Sequence, residues 1–447
     1  MPGAINKGAV RWLRGQLPEL VASGVISSEN ARAIERHYES AEAKPSFGFV
    51  LLAGIGSALV GAGIVLLVAH NWDQLGRVTR TAIAFLPLIL AQLLGIFVLF
   101  RRTESRPWRE SAAIFDMAAA ATTISLVSQT YQIQGSFADF MVLWLLLTIG
   151  VVYLFRTIFG AVGYIAGTVA WLMARDSTWA GHRGPTLFWL FLALLLPYFI
   201  WSIARDRTSR ETAVLSVFLL LAAAIGLGFS AESAQAGIGG IAFAGFFAAA
   251  YLAGMKLSDD FAKHVPAAAL LSGIGIGVTT IVLSFKETWH PHTFSSVADN
   301  SAPAVGVGIQ LFFPVVAIAL LIWDFLKKRR IAFSVAIAVA PLVAGLAWLV
   351  CNADPEPNRG SDSPYSLAAA VIINIYALVL GAELIARGTR ANSFVRANFG
   401  LLVIAALAIA RFFDSDLGFV TRGLGFIVVG TMFLVANWSF FRRQAAK

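Results

Sequence analysis

The chain has 447 residues, of which 58% are hydrophobic and only 13% charged, with a mean hydropathy of +0.75. A soluble domain carries roughly 25% charged residues, so this composition excludes a soluble enzyme. The formal charge of +9 needs a source other than nucleic acid, and the single Cys351 excludes an intramolecular disulfide.

Residues 1–46 form the only sizeable aqueous segment, and their spacing predicts a helical hairpin. Trp12, Leu13, Leu17, Leu20 and Val21 recur at helical intervals before Gly24, a natural C-terminal stop. Ser27 or Ser28 can cap a second helix, in which Ala31, Ile34 and Tyr38 continue the apolar stripe. Forty-six residues are too few for a catalytic domain, so the hairpin is expected to be a cytosolic docking or stability element.

Apolar runs of about 20 residues then follow, each long enough to cross a hydrocarbon layer of about 30 Å as a helix. Fourteen spans are expected, at 47–69, 81–100, 111–130, 137–155, 157–174, 186–204, 212–230, 236–254, 264–285, 304–325, 331–351, 364–386, 393–411 and 418–440. The fold class is therefore all-α integral membrane, a polytopic helical bundle over 47–441 with a basic tail at 442–447. The first run begins at Phe47, behind a charged segment, and is expected to stay as an uncleaved anchor.

Most of the 34 Lys and Arg residues fall in the N-terminal segment, the even-numbered loops and the C-terminal tail. Because cytoplasmic loops retain positive charge during insertion, both termini are expected to be cytoplasmic. The net charge is then topogenic, with a secondary attraction to anionic lipid heads.

Small residues mark close helix contacts. Gly54, Ala58 and Ala62 form one such face in the first span, and Gly163 and Gly167 another in the fifth. Gly273, Gly275 and Gly277 allow two readings of the ninth span, close packing or an unwound segment.

An ionisable group in hydrocarbon costs several kcal/mol, so each one is a candidate for function. Asp324 near Lys327 and Lys328, Glu383 four residues before Arg387, and Arg396 near an interface all have structural explanations. Asp116 does not, because it lies well inside the third span. At 100° per residue Asp116, Thr123 and Thr130 share one face, while Thr122, Ser125 and Gln129 share the opposite one. A helix polar on two sides belongs at the centre of the bundle, with Asp116 either a proton-coupling site or an interhelical hydrogen-bond partner.

A second polar concentration projects to the outer face on this topology. His70, Asn71, Trp72 and Asp73 end the first span, Gln129 and Tyr131 end the third, and Asp139 and Trp144 open the fourth. Arg411 and Asp414 end the thirteenth span, and Arg422 opens the fourteenth. Two readings stand: a gated pocket for an anionic or amphiphilic ligand, or an interfacial belt with ion pairs. No nucleotide-binding, nucleophile-elbow or zinc-protease motif is present, so no catalytic residue, metal site or cofactor is assigned.

The string Ala69-His70-Asn71-Trp72-Asp73, preceded by Gly24-Val25-Ile26-Ser27 and followed by Gln129-Thr130-Tyr131 and Trp144, resembles bacterial membrane proteins of domain-of-unknown-function family 2157. Arg411-Phe412-Phe413-Asp414 with Arg422-Gly423 is similar to the distal part of its longer members. The resemblance is clearest over residues 8–155 and implies a multi-pass inner-membrane protein, with no catalytic residues to carry over.

The leading functional expectation is a transporter or lipid flippase for a small anionic or amphiphilic substrate, since many spans with short loops suit transport. The alternative is a non-transporting scaffold or sensor that recruits a cytosolic protein through residues 1–46. A third reading, a membrane transferase using His70, Asp73 and Asp139, lacks the outer domain such chemistry usually needs.

Overall fold

The computed structural model describes residues 7–39, 72–174, 184–234, 238–256, 267–289, 304–326, 334–356, 361–391, 393–412 and seven positions between 420 and 434. The expected spans 47–69 and, for the most part, 418–440 lie outside the described residues, as does the small-residue face of Gly54, Ala58 and Ala62. Contacts divide the chain into two units, Met1–Arg80 and Thr81–Lys447.

In the first unit, α1 (Lys7–Ala22) and α2 (Ser28–Glu39) make the expected hairpin. Gly24 adopts φ 71°, the left-handed conformation that only glycine enters without strain. The amides of Val25 and Ile26 then donate to Leu20 O at 3.0 and 3.3 Å, which satisfies the end of α1. Ser27 Oγ accepts from the Asn30 amide at 3.1 Å and caps α2. Further on, Trp72–Gln74 forms a 3-10 turn, and the Arg80 guanidinium lies 5.8 Å from the centre of the Trp72 ring.

The second unit holds the bundle. Its helices are α3 (Arg77–Arg101, which begins at the end of the first unit), α4 (Arg106–Tyr131), α5 (Phe137–Phe155), α6 (Ile158–Ala174), α7 (Gly184–Arg205) and α8 (Arg210–Ala234). They continue with α9 (Gly239–Lys256), α10 (Ala267–Leu283), α11 (Ala304–Leu326), α12 (Val335–Ala338), α13 (Ala340–Asn352), α14 (Pro364–Arg390) and α15 (Phe394–Phe412). Among the described residues ten helices are long and apolar enough to cross a membrane, α12 and α13 counting as one, and every regular element is helical. The protein is a polytopic helical membrane protein.

Each expected span between 81 and 411 meets a helix, with one break. The run 331–351 divides at Val339, because Pro341 at the start of α13 has no amide to continue the ladder. The hydroxyl of Ser334 caps α12 by accepting from the Ile337 amide at 3.3 Å.

Two apolar clusters form the interior. One is built mainly from α4 to α8, the other from α9, α10 and α12 to α15. The helix that joins them is α9, which packs on α8, α10, α11 and α13. Its buried residues include Ala242, Ala244, Gly245, Ala248, Ala249 and Gly254, so neighbours approach on all sides. At Gly245 the approach is closest: a Cβ there would lie 2.5 Å from Pro314 N and Cα in α11.

This corrects the expectation that the third span holds the centre. Among the described residues α4 packs on α5 and α6 but exposes Thr122, Ser125 and Gln129. The small-residue readings fare differently from one another. Gly163 faces Met117, and a Cβ at Gly167 would meet the Trp144 ring at 2.3 Å, so this face does bring helices together. The unwound alternative for Gly273–Gly277 is overturned: α10 runs unbroken, and Gly275 makes room for Phe247.

The charges inside the bundle are tied. Glu383 pairs with Arg387 as expected and also accepts from Ser334 Oγ. Asp324 pairs across helices with Lys256 at 3.2 Å, while Lys327 and Lys328 lie outside the described residues.

Candidate functional site

The two-faced polarity of α4 separates into two roles. Asp116, Thr123 and Thr130 are buried, while Thr122, Ser125 and Gln129 are exposed. On the buried face Asp116 Oδ1 accepts from Gln92 Nε2 at 3.0 Å, and Thr123 Oγ1 donates to Ala84 O at 2.9 Å. Both bonds tie α4 to α3, whose sequence is otherwise apolar between Thr81 and Arg101. Thr130 donates to Leu126 O within its own helix at 2.7 Å.

The other face opens onto a groove of about 940 Å³ between α3, α4 and α5. Its polar lining comes from Ser125, Ser128 and Gln129 of α4, with the edge of the largely buried Thr123, from Gln132, Gln134 and Ser136 of the connecting loop, and from Asp139. Phe85 and Leu88 of α3 and Phe137, Phe140, Leu143 and Leu147 of α5 supply the apolar walls. Among the described residues of the lining, Asp139 alone carries a formal charge.

Local chemistry shapes the rim. Gln132 ends α4 at φ 51°, and its amide and that of Ile133 turn back to Gln129 O and Ser128 O. Ser136 and Asp139 form a capping box at the start of α5. Asp139 Oδ2 accepts from the Ser136 amide and from its hydroxyl, each at 2.9 Å, and the Asp139 amide donates to Ser136 Oγ at 3.2 Å. The carboxylate therefore holds the loop in place and compensates the positive end of α5.

The outer cluster expected from sequence does not assemble as one pocket in the described residues. Gln129 and Asp139 line the groove; Tyr131 sits at its end of α4, its hydroxyl 3.1 Å from Thr81 Oγ1. Trp144 is half-buried and donates from Nε1 to Met117 O at 2.8 Å, which ties α5 to α4.

Arg411 belongs elsewhere. Its Nη2 donates to Ser284 O at 2.9 Å and Ser284 Oγ at 3.0 Å, and its guanidinium lies 4.6 Å from the Phe285 ring centre. Asn374 Nδ2 reaches the same Ser284 carbonyl at 2.9 Å, and Trp289 Nε1 reaches Leu283 O at 2.7 Å. Three side chains thus close the C-terminal end of α10, where carbonyls have no helical partner. No residue of α10, α14 or α15 lines the groove, so among the described residues Arg411 and the groove are separate. His70, Asn71, Asp414 and Arg422 lie outside the described residues, and the Asp73 side chain does too.

Gln92, Gln132, Gln134 and Ser136 escaped the sequence reading. Gln92 is a lone amide in an apolar run, and Ser136-Phe137-Ala138-Asp139 has the spacing of a capping box, so both left a signal. Gln132 and Gln134 left none, since loop glutamines are common. Among the described residues no three His, Cys, Asp or Glu side chains gather to hold a metal.

Comparison with curated proteins and with solved structures finds no match. Residues 18–159, which run from the end of α1 to the start of α6 and include the described lining of the groove, match the family described as Predicted membrane protein (DUF2157).

Proposed function

We propose that the protein is a transporter of flippase type, and that its substrate is a small amphiphile taken into the groove between α3, α4 and α5. The observation that carries this reading is the lining: amides and hydroxyls on one side, phenyl rings and leucines on the other, in about 940 Å³. Such a surface suits a molecule with a hydrogen-bonding head and a hydrocarbon body. Of the two substrate types expected from sequence, the amphiphilic one is favoured, because among the described residues the lining holds no cation and one carboxylate. The reading is non-enzymatic, and it places the chain in a bacterial cytoplasmic membrane with both termini in the cytoplasm, as the distribution of Lys and Arg directs.

The test is transfer of a fluorescent short-chain lipid across vesicles that contain the purified protein. Ser125→Trp, which fills the groove, is expected to abolish transfer while Ser125→Ala preserves it. Equal rates for both variants and wild type defeat the proposal. Asp116→Asn is expected to keep the hydrogen bond with Gln92 but remove any response of transfer to a pH gradient. An unchanged response assigns Asp116 a purely structural role.

One observation favours the scaffold as a second reading: the hairpin of α1 and α2 closes on its own hydrogen bonds. Deleting residues 1–40 discriminates the two, since transport should survive the deletion and recruitment of a cytosolic protein should not.

A further inference from the structure

At the opposite end of α5 from the groove, two arginines meet on one indole. The Arg156 guanidinium lies 5.0 Å and that of Arg205 5.4 Å from the Trp201 ring centre. Trp201 is held in turn by stacking on Tyr198, with ring centres 5.7 Å apart and planes 27° from parallel. Tyr198 meets Tyr153 edge-on at 6.2 Å, so an aromatic column running between α5 and α7 ends at the two cations.

The carboxylates around this end are engaged with other groups. Glu110 accepts the Ile158 and Phe159 amides at 3.1 and 3.0 Å and lies 3.6 Å from Arg106, which also pairs with Glu211 at 2.7 Å. Asp206 accepts from the amide and hydroxyl of Thr208, each at 2.9 Å. Among the described residues neither Arg156 nor Arg205 forms an ion pair, and both are exposed.

Arg156 also occupies a conformation that a side chain resists. It ends α5 at φ 52°, where glycine or asparagine is the usual residue. A strained residue that keeps a long cationic side chain is an observation from which a role can be argued. On the same two helices, Leu154 and Ile200 expose 54% and 63% of their surfaces, so apolar side chains face outward near the helix ends that carry the cations.

We propose that Arg156 and Arg205, gathered on Trp201, bind the phosphate of an anionic phospholipid whose acyl chains lie along Leu154 and Ile200. The planar guanidiniums suit phosphate oxygens, and the aromatic column fixes their spacing before the ligand arrives. The adjoining apolar face selects a lipid over a soluble phosphate. The site shares no residue with the groove and does not depend on transport.

The experiment is native mass spectrometry of the full chain released from nanodiscs that hold equal amounts of phosphatidylglycerol and phosphatidylcholine. The wild type is expected to retain phosphatidylglycerol preferentially, and Arg205→Gln to lose about fivefold of that preference, the usual weight of one cation at a membrane surface. Arg156→Gly should lose as much while its melting temperature stays level or rises, because glycine relieves the φ of 52°. Equal preference in wild type and both variants overturns the proposal. In a second arm, inorganic phosphate is titrated against the chain in phosphatidylcholine alone. Saturation there, with no preference for phosphatidylglycerol in the first arm, overturns the lipid assignment.

Discussion

Ser136 and Asp139 are two of the groove's lining residues and also the capping box of α5, so one substitution separates structural from binding roles. Asp139→Ala leaves the Ser136 amide without its acceptor, a loss of about 1 kcal/mol that should lower the melting temperature. Asp139→Glu, which puts the usual capping-box residue at this position, should recover most of that loss. If Asp139→Ala instead melts with wild type and alters only transfer of the fluorescent lipid, the carboxylate acts on substrate. Outside the spans, Asp206 gives a pH signature. The hydroxyl and amide of Thr208 hold its carboxyl below the usual range. A depressed folded value means the turn's extra stability is present above the unfolded value and is lost as pH falls through the folded one. Amide exchange over residues 206–212 should therefore quicken at the acid end in wild type. Thr208→Val, which deletes the hydroxyl bond but keeps the backbone amide, should weaken that acid-dependent change.

Between elements, the corner that joins α5 to α6 shows how charge replaces packing. Glu110 is buried and receives two amides from the first turn of α6, while Arg109 Nη1 reaches Phe155 O at the last turn of α5. An anion at the positive end of one helix and a cation at the negative end of the other are both favourable. Glu110→Ala orphans two buried amides and should cost about 1–3 kcal/mol, read as a fall in melting temperature. Glu110→Gln should cost less, since its amide oxygen still accepts. A larger effect of this kind is expected at α9. Gly245→Val would drive a side chain into Pro314 backbone atoms already in the closest contact of the helix, and overpacking of about 1–3 kcal/mol or more follows. Thermal stability in detergent checks it, and a stable Gly245→Val chain would mean that α9 and α11 separate with little cost.

For the molecule as a whole, labelling checks the orientation that the positive charges direct. With Cys351 buried and replaced by serine, a single cysteine at Gly135 should react with an impermeant maleimide from outside the cell, and one at Arg207 only after the membrane is opened. The reverse pattern would invert the topology and place the arginine pair in the outer leaflet.

The limits of sequence reading follow from the range of the forces involved. Burial in hydrocarbon acts on each run of residues independently, so hydropathy located the twelve spans between 81 and 411 to within a few residues of the helices. Helical periodicity is equally local, and it separated Asp116, Thr123 and Thr130 from Thr122, Ser125 and Gln129 before any contact was known. Partners are another matter. Nothing local tells Asp116 that Gln92 will face it, Arg411 that it will close α10, or Arg156 and Arg205 that they will share one indole. Nor does polarity by itself pick the central helix. Small side chains gave that place to α9, because the glycines and alanines spread along it let neighbouring helices come close between its aromatic residues. The sequence by itself determined the solvent, the spans and the faces of each helix; tertiary packing alone decided which faces meet, since that choice is made by complementary shape and hydrogen bonds between residues distant in the chain.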